Sequence, residues 1–373
     1  MERSGQAADV ATPHLEDLRQ LLRRPGPFLT LVVDRPEVGE HAMARVSSDV
    51  RAAAADGPFD AHADAIVAAI EEAFPHAGAV VVVADPEGVA LVEHLDGAAR
   101  RTGAWVAEVP VLSSIIERRA GDLPVVMVSV DRTGADLSWS VPLPAGAAGL
   151  GGTEIDGPEI HLRKIKGGGW SHRRFQQRAE DAWERTAGEV AAAVEAAARE
   201  IGPRLVVLGG DDRMVRLVRG ALPSSLEELV REVPGSRAED GSDDARDAAA
   251  ALWVRTAVAE DTVRALSLFD REQGQADRAA DGLEGVLAAL RASRVDLLLV
   301  HDGDDDRSAC FVPDEGTLVA GSASELESLG APEVHVGRAI DVAIRSALLT
   351  GADVRIVPST PKLTAGIGAV LRW

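Results

Sequence analysis

The sequence predicts an α/β protein built from three successive blocks. Short runs of Val, Leu and Ile bounded by Gly, Pro or Asp indicate buried strands, and Ala-rich stretches with helical periodicity lie between them. With 373 residues, the chain is too long for one ordinary hydrophobic core. Alternation of this kind is typical of α/β domains, and we place three of them at residues 1–122, 123–260 and 261–373.

The first block is predicted to open with a strand. The run FLTLVVD at 28–34 follows Pro-Gly-Pro, and AVVVVA at 79–84 precedes a Pro-Glu-Gly turn that predicts a hairpin. The other predicted elements of this block are the hairpin partner at 89–93, a strand at 106–109, and helices at 43–55, 61–74 and 112–119.

The second block is predicted to begin with another hairpin, from a strand at 125–131 to a returning strand at 136–141. Residues 142–159 are rich in Gly and Pro and predict a flexible connector. A helix with an apolar stripe is then predicted at 175–201, followed by a strand at 204–208. Asp211 or Asp212 is expected to cap a helix over 211–221.

Before the third block, the acidic residues 236–246 predict a solvated loop, which is followed by a helix at 248–273. The terminal sequence GIGAVLRW predicts a last strand. The remaining predicted elements are helices at 282–292 and 340–349 and strands at 295–301, 309–312 and 354–357.

The composition narrows the functional class. A formal net charge of -21 argues against general coating of nucleic acid, unless positive charge is concentrated in one place. The single cysteine, Cys310, excludes an intrachain disulfide framework and fits a reducing cytoplasm, and its apolar neighbours predict a buried thiol. Without an 18-residue apolar run or a signal peptide, we expect a soluble cytoplasmic protein with no membrane partner, cofactor or metal.

Positive charge is concentrated in residues 160–179, which contain six cations and no carboxylate. Without those six the chain would stand at -27, since -21 minus 6 is -27. The triple glycine permits close backbone approach, and a Trp plane can stack on bases, so this segment predicts insertion into a defined RNA pocket. The candidate RNA-binding residues are Arg163, Lys164, Lys166, Gly167, Gly168, Gly169, Trp170, Ser171, His172, Arg173, Arg174, Gln176, Gln177 and Arg178.

Two structural interpretations compete with this one: a solvated basic helix face, and Trp170 as a core anchor. Ser171 suits the N-cap of the following helix, which would place Arg173, Arg174 and Arg178 in its first turns. Each cation at a helix N-terminus costs about 0.3–1 kcal/mol, which an external anion would relieve. That cost favours the functional interpretation.

Other kinds of site have weaker signals. The chain lacks a Walker sequence, G-x-S-x-G, HExxH and paired CxxC. The acidic run at 301–306 lacks the distal Glu of a calcium loop, so we interpret it as a solvated turn. Asp131, Asp211 and Asp212 follow strands, which leaves metal-dependent hydrolysis open although turn and cap roles are the usual ones.

Four segments together resemble the bacterial relatives of the archaeal and eukaryotic class-1 release factors and of Pelota. They are VVMVSVDRTGADL, GGGWSHRRFQQRAE, LVVLGGDDR and GIGAVLRW. The subgroup that the chain resembles is the actinobacterial one related to the ribosome hibernation factor Balon. The resemblance covers residues 123–373, and the first block only in its layout.

The resemblance implies three α/β domains in a tRNA-like arrangement within the ribosomal A site. The first domain would face the decoding centre, the second would carry the loop toward the peptidyl-transferase centre, and the third would resemble a ribosomal protein domain of the L7Ae type. Ribosomal RNA of both centres, rather than DNA, would be the partner. An elongation factor Tu-type GTPase would contact the second and third domains.

The chain departs from that family at one informative position. Class-1 release factors carry Gly-Gly-Gln, whose Gln helps to position the hydrolytic water, whereas here Trp170 follows Gly169. The nearest glutamines, Gln176 and Gln177, come seven and eight residues after Gly169. We therefore predict a hibernation or stress factor without peptidyl-tRNA hydrolysis. A release or rescue enzyme using Gln176 or Gln177 and a module that binds an acidic protein are the alternatives.

Overall fold

The computed structural model describes residues 12, 14–35, 42–55, 57–142, 148–156, 170–234, 242–274, 278–303, 307–313, 315–331 and 333–373. Within them the strands form four β-sheets with helices packed on their faces, so the predicted α/β class is confirmed. They divide into two compact units: one holds the described residues up to 121 and from 259 onward, the other those between 122 and 258. No helix in the described part of the chain is long and apolar enough to cross a membrane.

The N-terminal part of the first unit is a four-stranded antiparallel sheet in the order β3-β2-β1-β4. Helices cover both of its faces, which explains why β2 is buried along its whole length and consists of an unbroken apolar run before Asp85. The elements are α1 (Glu16–Leu21), β1 (Phe28–Asp34), α2 (Ala42–Ala54), α3 (Ala63–Ala73), β2 (Ala79–Asp85), β3 (Gly88–Leu95), β4 (Gly103–Ala107) and α4 (Ser113–Arg119).

The second unit contains a five-stranded sheet in the order β7-β6-β5-β8-β9. Strands β5, β8 and β9 run parallel, and β6 and β7 continue from β5 as an antiparallel meander. The elements are β5 (Val125–Val130), β6 (Gly134–Pro142), β7 (Ala148–Asp156), α5 (Trp170–Ile201), β8 (Leu205–Gly210), α6 (Asp212–Ala221), α7 (Ser224–Glu227) and β9 (Val230–Val233).

The two faces of this sheet pack on different helices. Val126, Val128 and Leu208 contact the apolar stripes of α5 and α6. On the other face, Val125 and Val207 pack against the first half of α8 (Ser242–Gly274). Alternate residues of β5 and β8 thus enter different cores, as the two-residue period of a strand requires.

The C-terminal part of the first unit contains a sheet in the order β10-β16-β11-β15 and a smaller one in the order β13-β12-β14. The central strand β11 is fully buried between α9 and α11 on one face and the last turns of α8 on the other. The elements are β10 (Ala279–Asp281), α9 (Gly282–Arg291), β11 (Val295–Val300), β12 (Ser308–Phe311), β13 (Val319–Ala320), α10 (Ala323–Ser328), β14 (His335–Arg338), α11 (Ala339–Leu349), β15 (Asp353–Ile356) and β16 (Ile367–Leu371).

The predicted flexible connector at 142–159 is wrong for Pro142 and for Ala148–Asp156, and its other residues lie outside the described part of the chain. Strand β7 occupies Ala148–Asp156 and pairs with β6 from Gly134↔Asp156 to Pro142↔Ala148. Its glycines suggested flexibility because they have low strand propensity. Pairing with β6 along the whole strand outweighs this low propensity, because tertiary context affects strand formation more than intrinsic propensity does.

Two helices begin earlier than predicted. α5 begins at Trp170 instead of residue 175, and α8 begins at Ser242, so residues 242–246 are helical and not part of a solvated loop. The sequence Ser-Asp-Asp at the start of α8 suits a helix N-terminus, where carboxylates are stabilised by the helix dipole. The rest of the predicted acidic loop, 236–241, lies outside the described residues.

Candidate nucleic-acid interface

The candidate RNA-binding residues fall into two groups. Arg163, Lys164, Lys166, Gly167, Gly168 and Gly169 lie outside the described residues. Trp170, Ser171, His172, Arg173, Arg174, Gln176, Gln177 and Arg178 form the first turns of α5. Because an N-cap must precede the first helical residue, Ser171 is not the N-cap that the sequence predicted.

The start of α5 is electrostatically unusual. Its first turn contains no acidic residue, whereas Arg173 and Arg174 follow within the first two turns. Cations near the positive end of the helix dipole cost about 0.3–1 kcal/mol each. This 32-residue helix therefore begins in a way that favours a nearby external anion.

Gln176 and Gln177 lie in the second turn of the same helix, at a rise of about 10 Å along the axis from Trp170. They belong to the regular helix and not to the segment that carries the glycines. The backbone therefore separates the Gly-Gly pair from the glutamines by more than a helical turn.

The second half of α5 is fixed to the sheet of its own unit. Its apolar stripe is almost completely buried, and Thr186 on the same face donates a hydrogen bond to the carbonyl of Ala182 at 3.1 Å. The residues of this stripe are Ala187, Val190, Ala191, Val194 and Ala197. The N-terminal turns with the arginines are thus attached to a firmly packed helix.

Near the middle of α5, the ring of Trp183 contacts the guanidinium groups of two arginines from other elements. Arg132, in the β5–β6 turn, has its Cζ 5.2 Å from the centroid of the Trp183 ring, and Arg213, on α6, has its Cζ 4.8 Å from it. Arg132 also forms an ion pair with Asp211, with 3.1 Å between Nη2 and Oδ2. We call Arg132, Trp183, Arg213 and Asp211 the Trp183 cluster.

The end of β8 explains why these residues meet. Gly210 has a φ of +134°, and a Cβ there would lie 1.8 Å from the carbonyl oxygen of Val130 at the end of β5. Only glycine permits this approach. Asp211 then donates its backbone N–H to that same oxygen at 2.9 Å, which places it beside the turn that carries Arg132.

The sequence did not single out Trp183, Arg132 or Arg213 as functional residues. Its available signal was the pairing of the two strand ends, Asp131-Arg132 and Asp211-Asp212-Arg213, which parallel strands bring to one edge. The strand ends do not predict the position of Trp183, because that position depends on where α5 crosses the edge of the sheet.

The strand-end aspartates have local roles. Asp131 accepts hydrogen bonds from the backbone N–H of Thr133 at 2.7 Å and of Gly134 at 2.9 Å. Asp211 caps α6 by accepting from the N–H groups of Arg213 and Met214. Among the described residues, no group of three or more His, Cys, Asp or Glu could hold a metal ion. The contacts of Asp131 and Asp211 are those of a turn residue and a helix cap.

The predicted solvated turn at 301–306 is wrong for Asp302, whose side chain is only 12% exposed. Asp302 accepts hydrogen bonds from Ser113 Oγ on α4 and from Arg338 Nη2. It links two parts of the first unit and is not a solvated carboxylate. Residues 304–306 lie outside the described part of the chain.

Cys310 is 6% exposed within β12, which confirms the predicted burial of its thiol, and this burial raises the pKa of the thiol. On α2, Arg45 is exposed, and Arg51 pairs with the exposed Asp64 at 3.0 Å. Both arginines are ordinary surface residues in the structure.

A comparison with protein families matches one family model to part of the chain. Residues 124–275 match the model of the family described as Bacterial archaeo-eukaryotic release factor family 2. This segment runs from the start of β5 to the end of α8. The predicted resemblance to the bacterial relatives of archaeal and eukaryotic release factors is therefore confirmed for this segment. The narrower subgroup stays a prediction.

Solved structures of such factors also align with the chain at low similarity. The archaeal translation termination factor aRF1 is 14% identical, with 97% of this chain and 98% of that chain covered and a TM-score of 0.26. Pelota of Archaeoglobus fulgidus is 14% identical over 97% and 93%, with a TM-score of 0.39. Archaeal Pelota from a ribosome-bound model with ABCE1 is 13% identical over 100% and 95%, with a TM-score of 0.42. No curated protein sequence matches significantly.

Proposed function

We propose that this protein is a translation factor that binds the ribosome and occupies its A site. The observation that carries the proposal is the cationic start of α5, in a chain with a formal net charge of -21 and in a segment that matches a release-factor family. An acidic protein approaches RNA productively only where its positive charge is concentrated. The start of α5, with the preceding basic residues, is that place.

The same region favours occupancy without hydrolysis. Helix α5 begins at Trp170, the residue directly after Gly169, and Gln176 and Gln177 are already in its second turn. The segment that carries the glycines, residues 160–169, itself contains no Gln that could act in catalysis. We propose a hibernation or stress factor that blocks the A site and leaves peptidyl-tRNA intact.

The remaining parts of the proposal concern the partners of each domain. The domain at 1–122 would face the decoding centre, the one at 123–260 would direct the basic residues toward the peptidyl-transferase centre, and the one at 261–373, of the L7Ae type, would help to contact an elongation factor Tu-type GTPase. Ribosomal RNA would be the main ligand, in the cytoplasm.

The direct test is co-sedimentation of the purified protein with ribosomes over a range of salt concentrations. We expect the double substitution Arg173→Ala and Arg174→Ala to weaken pelleting about tenfold or more at 0.1 M salt and to reduce the dependence of log K on log salt by about 1.5. Arg199→Ala, at the exposed far end of α5, is the matched control and should leave both values unchanged.

A release assay separates occupancy from cleavage. With labelled peptidyl-tRNA on purified ribosomes, we expect no peptide release by stoichiometric protein. Release that is lost on Gln176→Ala or Gln177→Ala would establish the hydrolytic alternative instead. Pull-downs that survive nuclease treatment and contain no ribosomal protein would favour an acidic protein partner.

A further inference from the structure

A cleft in the C-terminal part of the first unit lies between α9 and the segment from β13 to α10. Its volume is about 400 Å³. The floor is aliphatic, since Leu287 is 3% exposed and Ala320 is fully buried. A cavity of about 150 Å³ already holds a benzene-sized group, so this cleft has room for an aliphatic side chain of a partner.

The fold holds both walls of the cleft in place. Leu283, Leu287 and Arg291 follow one face of α9 at the four-residue spacing that aligns side chains on a helix. Arg291 Nη1 donates to the carbonyl of Val319 at 3.1 Å and pairs with Glu325 Oε1 at 2.7 Å. These contacts tie α9 to β13 and α10, so the cleft exists before a partner binds and little conformational entropy is lost in filling it.

The charges around the cleft do not balance. Arg291 is matched by Glu325. Glu284 is exposed on α9 and has no hydrogen bond or ion pair with the described residues. The cleft therefore carries one uncompensated negative charge, which attracts a cation and repels phosphate groups.

Gly321 keeps part of the cleft open. A Cβ at this position would meet no atom within 4 Å, and the backbone there is not in the left-handed region that favours glycine. Neither packing nor backbone conformation therefore requires glycine at this position. A larger side chain would fill the cleft without displacing its walls.

We propose that this cleft is a docking site for a ribosomal protein, which inserts an aliphatic side chain beside Gly321 and places a Lys or Arg next to Glu284. This inference rests on the proposed ribosome binding and extends it to a protein contact in the C-terminal part of the chain.

The charge at the cleft favours this class of partner. Proteins that coat ribosomal RNA must be basic to neutralise its phosphates, whereas the RNA itself would bring phosphates to the unpaired carboxylate of Glu284. An apolar anchor in a pocket, with a complementary charge at its rim, is the arrangement that contributes most to binding at protein interfaces.

The first experiment fills the cleft with Gly321→Leu and measures co-sedimentation of the full chain with purified ribosomes. We expect binding to be at least about tenfold weaker at 0.1 M salt, because the partner loses its anchor pocket. The dependence of log K on log salt should stay unchanged, since no phosphate contact is removed. Gly97→Leu is the matched control, because a Cβ there also meets no atom within 4 Å, and it should bind like wild type.

A second variant blocks the cleft through charge. Ala288 lines the cleft at an exposed position of α9, one turn after Glu284. Ala288→Lys adds a Glu–Lys pair at the i,i+4 spacing that stabilises a helix, and it places a cation where the partner's cation would bind. We expect several-fold weaker ribosome binding with an equal or higher Tm. Thermal unfolding of the Leu variants verifies that they remain folded.

The third experiment identifies the partner. Ser324→Cys, at an exposed position between the lining residues Ser322 and Glu325, is labelled with a benzophenone, while Cys310 is protected by its burial. On irradiation of ribosomes bound by this chain, we expect crosslinks to a ribosomal protein. The added substitution Gly321→Leu should remove them, even at a concentration that restores ribosome occupancy. Crosslinks only to ribosomal RNA, or only to an added translational GTPase, would overturn the proposed partner.

The outcomes separate this inference from the function on which it rests. If the wild-type chain does not pellet with ribosomes at any salt concentration, the proposed function fails. If the wild type pellets and both Gly321→Leu and Ala288→Lys bind equally well, only the docking site is refuted. Weaker binding of Gly321→Leu with a reduced salt slope would assign the cleft to RNA and would also refute it.

Discussion

At the residue scale, Arg119 shows how a charge is kept in the core of the first unit. It is 1% exposed and donates to Asp17 Oδ1 at 2.6 Å, to Glu93 Oε2 at 2.8 Å and to the carbonyl of His14 at 2.6 Å. Glu93 is fully buried. Without Arg119, the buried Glu93 would keep only its longer ion pair with Arg118, at 3.4 Å, and loss of a buried partner is the costly case for an ion pair.

We therefore expect Arg119→Ala to lower the free energy of unfolding by about 3–5 kcal/mol, because Glu93 would stay buried without this partner. Urea denaturation monitored by circular dichroism measures the change. Arg51→Ala removes an exposed pair with Asp64 and should cost less than about 1 kcal/mol. Similar losses in the two variants would show that burial of the Arg119 network adds nothing.

Gly210 allows the end of β8 to approach Val130 closely, beside the Trp183 cluster. Gly210→Ala should destabilise the second unit by about 2 kcal/mol or more, since its Cβ would clash with the backbone of Val130 at a positive φ. Gly220 in α6 is the control, because a Cβ there meets nothing within 4 Å and its helical site favours Ala. Thermal unfolding should lower Tm for Gly210→Ala and leave or raise it for Gly220→Ala. Equal Tm values would show that the close approach at Gly210 imposes no constraint.

At the scale of elements, α4, the turn after β11 and the start of α11 meet at one polar cluster. Arg338 bonds to Asp302 and to the carbonyl of Gly303, and its Nη1 lies 3.4 Å from Asp341 Oδ1. Burial raises the pKa of Asp341 to about 7, with Arg338 opposing that shift and Asp302 adding to it. Asp341 therefore titrates close to neutral pH in the folded protein.

The sign of the resulting pH dependence follows from proton binding. An unfolded Asp releases its proton near pH 4, whereas folded Asp341 holds it to about pH 7. The folded state binds more protons between these values, so this group makes stability fall as pH rises from about 4 to 7, by up to about 1.4 kcal/mol per pH unit. Above pH 7 its contribution is constant.

Asp341→Asn should remove this contribution. We expect the free energy of unfolding of the variant, minus that of wild type, to increase steadily between pH 4 and pH 7 and then to level off. Urea titrations at pH 4.5, 5.5, 6.5 and 7.5 measure the difference. A difference that stays constant across this range would mean that Asp341 is ionised throughout.

Strongly apolar elements were predictable from sequence, whereas several short strands were not. Burial was predictable for β2 from its unbroken apolar run and for α5 from its apolar stripe. Both patterns depend only on local sequence. The two-residue β13 and the four-residue β9 and β14 were not predicted. These three strands depend on pairing with neighbouring strands, as β7 depends on β6, and the sequence alone does not record that pairing.

The candidate site was predictable to a similar degree. Local charge and glycine content identify the cationic start of α5, and strand ends identify Asp211 as a cap. Asp302 was misinterpreted because its partners, Ser113 and Arg338, are distant in sequence. The Trp183 cluster was missed for the same reason, since its members come from three elements.

At the scale of the whole molecule, the proposed function rests on how charge is distributed. The chain has 60 acidic and 39 basic residues apart from His, so long-range electrostatics repel RNA from most of its surface. Six of the basic residues lie in the segment 160–179 that leads into α5. A protein with this distribution is expected to bind RNA in one orientation, led by the start of that helix.

The most direct measurement is a cryo-EM map of the native protein bound to ribosomes from stationary-phase cells. We predict density in the A site with the N-terminal turns of α5 against ribosomal RNA and peptidyl-tRNA intact. A map with the protein bound elsewhere, or with Trp170 and Arg173 tied to the protein's own carboxylates and turned away from RNA, would contradict the proposed function.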